Sequence, residues 1–233
     1  MKIFRLGNQG VQNILADYLN QGAIVVLDNG PTGALICKKA YPLYVFKDRP
    51  VDQALSAWGD QKFFWDYFRD QGYYNNPTIS KVVTSGIFEG NAFLRYKVFP
   101  LAWLVPGVPA RAISKGLLQV YSSALNSRFF IGLQKGLLRS IGMKYIYVTS
   151  TNKRGLRPAR GEQGLKEWAE EFNLPLFLLP FPERAKFDSL PRESFPIVEA
   201  TSDALLIRRR GWIDMMDVLS KSGAPVREEL DTK

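Results

Sequence analysis

From Ile146 to Gly155 the chain reads I-Y-V-T-S-T-N-K-R-G, and the reading of the fold turns on this stretch. Residues 145–148 are aromatic and β-branched, the composition of a buried strand. Thr149, Ser150, Thr151 and Asn152 then favour a turn over continuation of the strand. Lys153, Arg154, Arg157 and Arg160 follow, with Gly155 and Gly161 among them. Hydroxyls, an amide and cations after a strand suit a phosphorylated ligand, since α/β sheets hold ligands at the carboxyl ends of their strands. The same residues also suit a polar loop with a solvated basic face, and the stretch alone leaves both readings open.

Toward the N-terminus, residues 11–19 carry Val11, Ile14, Leu15 and Leu19 at helical spacing, stopped by Asn20-Gln21-Gly22. Residues 23–27 form a short apolar run, as expected of a buried strand. The turn Asp28-Asn29-Gly30-Pro31-Thr32-Gly33 leads to a second apolar run at 34–37. Residues 41–46 are aromatic-rich and enter Lys47-Asp48-Arg49-Pro50. A residue before proline is biased away from helix, so an extended segment is expected here. Lys47 and Arg49 would then share one side, as an anion clamp or as a solvated strand edge.

Residues 52–68 read as a helix with Trp58 in its apolar stripe. Strands are expected within 79–96 and at 101–105, a helix over 112–124, and a short helix over 136–141. Beyond the central strand come a helix at 162–172, a strand at 174–179 and a proline-bearing loop at 181–196. A strand at 204–207 runs into Arg208-Arg209-Arg210-Gly211, and a helix over 213–219 closes the pattern. The whole predicts an α/β protein, with residues 1–221 as one domain and 222–233 as a loose tail.

Composition narrows the chemistry. The 233 residues contain no histidine and one cysteine, Cys37. That excludes histidine-based nucleophile activation, a histidine general base, an internal disulfide framework and a cysteine metal cluster. An enzyme with this composition works by positioning and electrostatics, or through carboxylates, Lys or Tyr. The net charge of +9 favours an anionic partner such as nucleotide phosphates or RNA. No apolar run approaches the roughly 20 residues that span a membrane. Residues 1–5 lack the basic-then-apolar order of a secretory signal, so a cytoplasmic location is expected. Neither standard glycine-rich phosphate loop is present.

Separated pieces line up in one order. Residues 46–55, F-K-D-R-P-V-D-Q-A-L, resemble the K-x-R segment of the YrdC-like family, the threonylcarbamoyl-AMP synthases. Residues 148–152, V-T-S-T-N, resemble its T-S-x-N motif, and Pro31-Thr32 the start of its P-T-x-T segment. Fainter echoes are residues 105–109 for a P-G-P segment, Arg128 for an upstream arginine and Arg210-Gly211 for a late R-x-G.

The resemblance implies an open twisted mixed sheet with helices and a basic concave cavity that takes up ATP, L-threonine or another amino acid, and bicarbonate. The products are threonylcarbamoyl-AMP and pyrophosphate, and the intermediate serves tRNA adenosine modification. It implies that Lys47 and Arg49 hold phosphates and carboxylate, that Ser150, Asn152, Arg128 and Arg210 meet the nucleotide, and that Thr32 meets the amino acid. Magnesium would bridge phosphate oxygens with few protein ligands.

The sequence also departs from the family. After Pro31-Thr32 it reads Gly33-Ala34-Leu35-Ile36 in place of the usual Thr and Tyr/Phe-Gly-Leu, and the interval to Lys47 looks short for the family's helix. Two other classes therefore stay in view. One is a basic module that binds RNA or nucleotide without chemistry; the other is a partner subunit whose site is a relic.

Overall fold

In the computed structural model, which describes residues 1–30, 32–59, 77–78, 81, 92–98, 107–121, 128–152, 158–188, 195–211 and 215–231, the α/β class expected from the sequence is observed. The first part of the chain forms β1 (Ile3–Arg5), α1 (Val11–Asn20), β2 (Val25–Asp28), β3 (Gly33–Cys37), α2 (Ala40–Phe46) and β4 (Ser56–Gly59). The middle forms β5 (Phe93–Lys97), β6 (Ile113–Ser114), β7 (Leu117–Tyr121), α3 (Arg128–Ser140) and β8 (Tyr145–Ser150). Then come α4 (Gly161–Glu171), β9 (Leu176–Leu178), α5 (Phe181–Asp188), β10 (Ile197–Ala200), β11 (Leu205–Arg209), α6 (Met215–Ser220) and β12 (Val226–Glu228).

Among the described residues the strands join one mixed sheet in the order β1-β9-β2-β3-β8-β4-β7-β5-β10-β11-β12, with β6 on β7. Strand β8 lies between β3 and β4, antiparallel to both, with Ala34 opposite Ser150 and Ser56 opposite Val148. Period-two alternation sorts the side chains. Ile36, Ile146 and Val148 face a core with Leu15, Leu19, Leu137 and Ile141 of the α1 and α3 side. On the opposite face Leu35, Cys37 and Tyr147 pack with Leu43 of α2 and Leu165 and Ala169 of α4. Leu94, Tyr96, Leu118, Val120, Val198 and Ile207 form a further cluster with Met215 and Leu219 of α6.

Several elements differ from the sequence reading, each for a local reason. Residues 40–46 are helical, and Pro42 is tolerated because it falls in the first turn, where no backbone donor is required. The interval from Pro31 to Lys47 thus does hold a helix. Trp58 lies on a strand, still in the core at 2% exposure, and residues 60–68 of the expected helix lie outside the described residues. The expected strand at 101–105 also lies outside them. Where a helix is expected at 112–124, residues 113–121 form the β6–β7 hairpin, and 122–124 lie outside the described residues. Lys115 and Gly116 both have positive φ there, the two-residue turn that matches strand twist.

Residues 128–140 form one helix, longer than the short helix expected at 136–141. The loop expected at 181–196 starts as α5, whose proline, Pro182, again sits in a first turn. The tail expected to be loose is paired: β12 runs parallel to β11, and Leu205 N–H donates to the Pro225 carbonyl at 2.8 Å. No described helix is long and apolar enough to cross a membrane.

Candidate functional site

Helices α1 and α3 cover one end of the sheet face that carries Ile36 and Val148. Further along that face, strands β4, β7, β5, β10 and β11 border a cavity of about 810 Å3. Its floor follows the alternation: Phe93 and Arg95 on β5, Leu117 and Gln119 on β7, Ile197 and Glu199 on β10 line it. Residues 94, 96, 118, 120 and 198 point to the core behind. A polar row crosses the floor. Gln119 Nε2 donates to Ser56 Oγ, and Arg95 Nε donates to Gln119 Oε1 at 2.9 Å. Arg208 Nε donates to Glu199 Oε2 at 2.9 Å.

The order of charge along this wall is set by elements far apart in sequence. Helix α2 ends in a Schellman turn: Asp48, at φ 45°, is left-handed, Asp48 N–H donates to the Val45 carbonyl and Arg49 N–H to the Tyr44 carbonyl. Lys47 and Arg49 therefore flank a tight reversal rather than an extended segment. They still meet β8. Lys47 Nζ donates to the Ser150 carbonyl at 2.9 Å and to Asn152 Oδ1 at 2.6 Å, and Ser150 Oγ donates to the same Asn152 oxygen. Arg49 Nη2 donates to the Ala54 carbonyl, and Nη1 reaches Thr149 Oγ1 only at 3.4 Å.

Arg49 lines the cavity together with Thr149 and Ser150, and its Nε is buried without a partner among the described residues. A buried guanidinium with an unused donor is suited to an incoming anion. Lys47 and Asn152 do not line the wall; they brace Ser150 from behind. Burial, and then the neighbouring Arg49, lower the Lys47 ammonium to about 8 from its ordinary 10.5.

That shift has a sign that can be measured. Between about pH 8 and 10.5 the unfolded chain binds the Lys47 proton while the folded protein has released it, so this residue's contribution to stability rises with pH. The difference in urea midpoint between wild type and Lys47→Met is expected to change over pH 8–10; a constant difference would contradict the lowered value.

The structure brings Thr32 to the same cavity, 3% exposed, beside Asn29 and Ala34. It does not bring Arg210, which is an exposed side chain clamped by Glu228 at 2.7 and 2.6 Å. Arg209 lines the cavity instead, donating to the Phe195 carbonyl at 3.0 and 2.7 Å. Arg209 also stands two residues before Gly211, the spacing of R-x-G. Arg128 opens α3, and its side chain lies outside the described residues, as do residues 153–157 of the basic loop.

Sequence reasoning missed Arg95, Gln119 and Lys115 on the wall; the signal was the alternation of F-L-R-Y-K at 93–97, which puts Arg95 opposite the core residues Leu94 and Tyr96. Among the described residues, the cations Arg49, Arg95, Lys115, Arg208 and Arg209 line the cavity against two carboxylates, Glu199 and Asp231. Asp231 is itself paired with Arg95 at 2.7 Å.

This sheet order, with a cavity over β4-β7-β5-β10-β11 and the K-x-R and T-S-x-N segments meeting beside it, is the YrdC-like fold. Among solved structures, Sua5 from P. abyssi complexed with L-threonine is similar, with a TM-score of 0.68 and 12% identity over 97% of this chain. The chain spans 62% of the length of that protein. YciO from E. coli is similar at a TM-score of 0.61 and 15% identity, covering 92% of this chain and 98% of its own. HypF in its phosphate- and nucleotide-bound form matches 86% of this chain with 29% of its own, at a TM-score of 0.57 and 16% identity. No family model matches the sequence. No curated protein matches it either.

Proposed function

We propose that the protein is a nucleotide-dependent synthase that activates an N-carboxylated amino acid on ATP. In this reading the amine of L-threonine and bicarbonate give a carbamate with loss of water. A carbamate oxygen then attacks the α-phosphorus, and pyrophosphate leaves with the bond to the β-phosphate oxygen. The product, threonylcarbamoyl-AMP, would serve tRNA adenosine modification in the cytoplasm. The observation that carries this reading is the junction of Lys47-x-Arg49 with Ser150-x-Asn152, two segments about a hundred residues apart joined through Asn152 Oδ1.

The chemistry needs charge and alignment rather than a histidine. Arg49 and Ser150 would hold phosphate oxygens at one end of the cavity. Arg95, Arg208 and Arg209 supply cations at the other end, where a carboxylate or further phosphate would settle. Thr32 and Asn29 would contact the amino acid. Magnesium would be held by phosphate oxygens and water, because both carboxylates on the wall, Glu199 and Asp231, are already paired with arginines. The Sua5 complex supports an amino-acid ligand, and the nucleotide-bound HypF supports a nucleotide.

The experiment is pyrophosphate release from ATP and magnesium, with bicarbonate, across a panel of amino acids. Release that requires both L-threonine and bicarbonate is expected. Release with another amino acid would keep the reaction and change the substrate. Absence of release together with RNA binding that weakens steeply with salt would favour the second reading, a basic RNA-binding module, which the five cations on the wall also suit.

A further inference from the structure

A buried ion pair lies just outside the cavity wall. Arg184 of α5 donates through Nη1 to Asp28 Oδ1 at 2.7 Å and to the Gly30 carbonyl at 2.9 Å. Its side chain is 9% exposed and that of Asp28 1%. The Asp28 carboxylate also accepts from the N–H of Gly30 at 3.1 Å and of Leu179 at 3.3 Å. Every one of these bonds converges on the turn between β2 and β3. That turn presents Asn29 and Thr32 to the cavity, and Asn29 Nδ2 continues the chain of contacts to the Tyr121 hydroxyl on β7.

We propose that Arg184 is a positioning residue for the amino-acid side of the reaction. Through Asp28 and the Gly30 carbonyl, it sets the conformation in which Asn29 and Thr32 face the substrate. This rests on the function proposed above. A buried ion pair adds little net stability over apolar side chains of the same volume, so its use at this place is geometric. The pair is neutral overall, so its effect on phosphates elsewhere in the cavity is small beside that of Arg49. The guanidinium is suited to the task because the two hydrogens of Nη1 lie in its plane and fix the angle between carboxylate and carbonyl, whereas the hydrogens of an ammonium rotate freely.

The test uses the full chain with Arg184→Lys and Arg184→Met, and Asp28→Asn as a third variant. The KM for the amino acid is expected to rise about 10-fold or more in Arg184→Lys and further in Arg184→Met, with the KM for ATP within about 2-fold of wild type. Amide exchange at Gly30 and Gly33 is expected to speed up about 10-fold, while the amides of β10 and β11 keep their protection. Should Arg184→Met fail to fold, Arg184→Lys decides. Equal rises in both KM values, or unchanged exchange in the turn, would overturn the proposal. If wild type itself releases no pyrophosphate with any amino acid, the functional reading fails, and the exchange measurement alone decides whether Arg184 sets the turn.

Discussion

Arg49→Met is expected to weaken ATP binding by about 10- to 100-fold, the loss of one hydrogen bond to a charged group, roughly 1.5–3 kcal/mol. Arg49 is the candidate clamp residue that both lines the cavity and keeps a buried donor, Nε, without a partner among the described residues. Its existing bonds are unequal: one to the Ala54 carbonyl, the other a long 3.4 Å contact with Thr149. An anion can therefore take the guanidinium at little cost in lost bonds. Arg49→Lys should recover only part of the affinity, because the charge returns without the fork. Titration of ATP by calorimetry at fixed salt measures both variants. Affinity unchanged in Arg49→Met would remove the residue from the site.

The second large effect is on stability. A β-carbon on Gly33 would stand 2.2 Å from Leu165 Cδ2 and 2.7 Å from Thr151 Oγ1. Gly33 also closes a three-way backbone junction: its N–H donates to the Ala159 carbonyl at 3.1 Å, its carbonyl accepts from Thr151 at 3.2 Å, and Ala159 donates to Thr151 at 2.8 Å. Gly33→Ala must displace the buried side chains of Leu165 and Thr151, and overpacking of this kind costs about 1–3 kcal/mol. For a chain of this length that is a fall in Tm of roughly 3–10 °C. Gly132→Ala is the control: no described residue lies within 4 Å of its added carbon, and in a helix it should be neutral or slightly stabilising. A Tm unchanged in Gly33→Ala would show that the junction yields freely.

The crowding around Gly33 comes from side chains 118 and 132 positions further along the chain, so the sequence alone displays the glycine but not what packs on it.

The legible parts of the fold are those in which local pattern and tertiary environment agree. The helix expected at 11–19 and the strand expected at 23–27 form as Val11–Asn20 and Val25–Asp28. The strand expected at 145–148 forms too, but it runs on through Thr149 and Ser150, where the hydroxyls argue for a turn, because both residues pair with β3. Residues 112–124 mislead because apolar spacing alone does not separate a helix from a hairpin; Lys115-Gly116 is the deciding signal, and its two positive φ values show why. Asp48 misleads differently. The proline at 50 argues for extension, but a left-handed Asp48 ends the helix first and satisfies both constraints. Motif resemblance singles out Arg49, Ser150 and Thr32, which line the cavity, and Lys47 and Asn152, which bond to Ser150 without lining it. Arg209 replaces Arg210 on the wall because the alternation of β11, shifted by a bulge opposite Ile197, was not visible in a run of three arginines.

Strand β8, held between β3 and β4, makes the site hostage to the completion of the chain. β3 and β4 are near neighbours in sequence, yet they cannot pair with each other in the native sheet; they wait for a strand synthesised long after both. Until residues 145–150 arrive, Lys47 has no carbonyl to grip and Arg49 no hydroxyl beside it. An N-terminal fragment that stops short of them carries the K-x-R residues without the place they belong. In the finished protein the same arrangement works in reverse: opening the site by withdrawing β8 breaks the middle of the sheet. Its amides should therefore exchange only with global unfolding, and the binding machinery should vanish in the same transition as the fold.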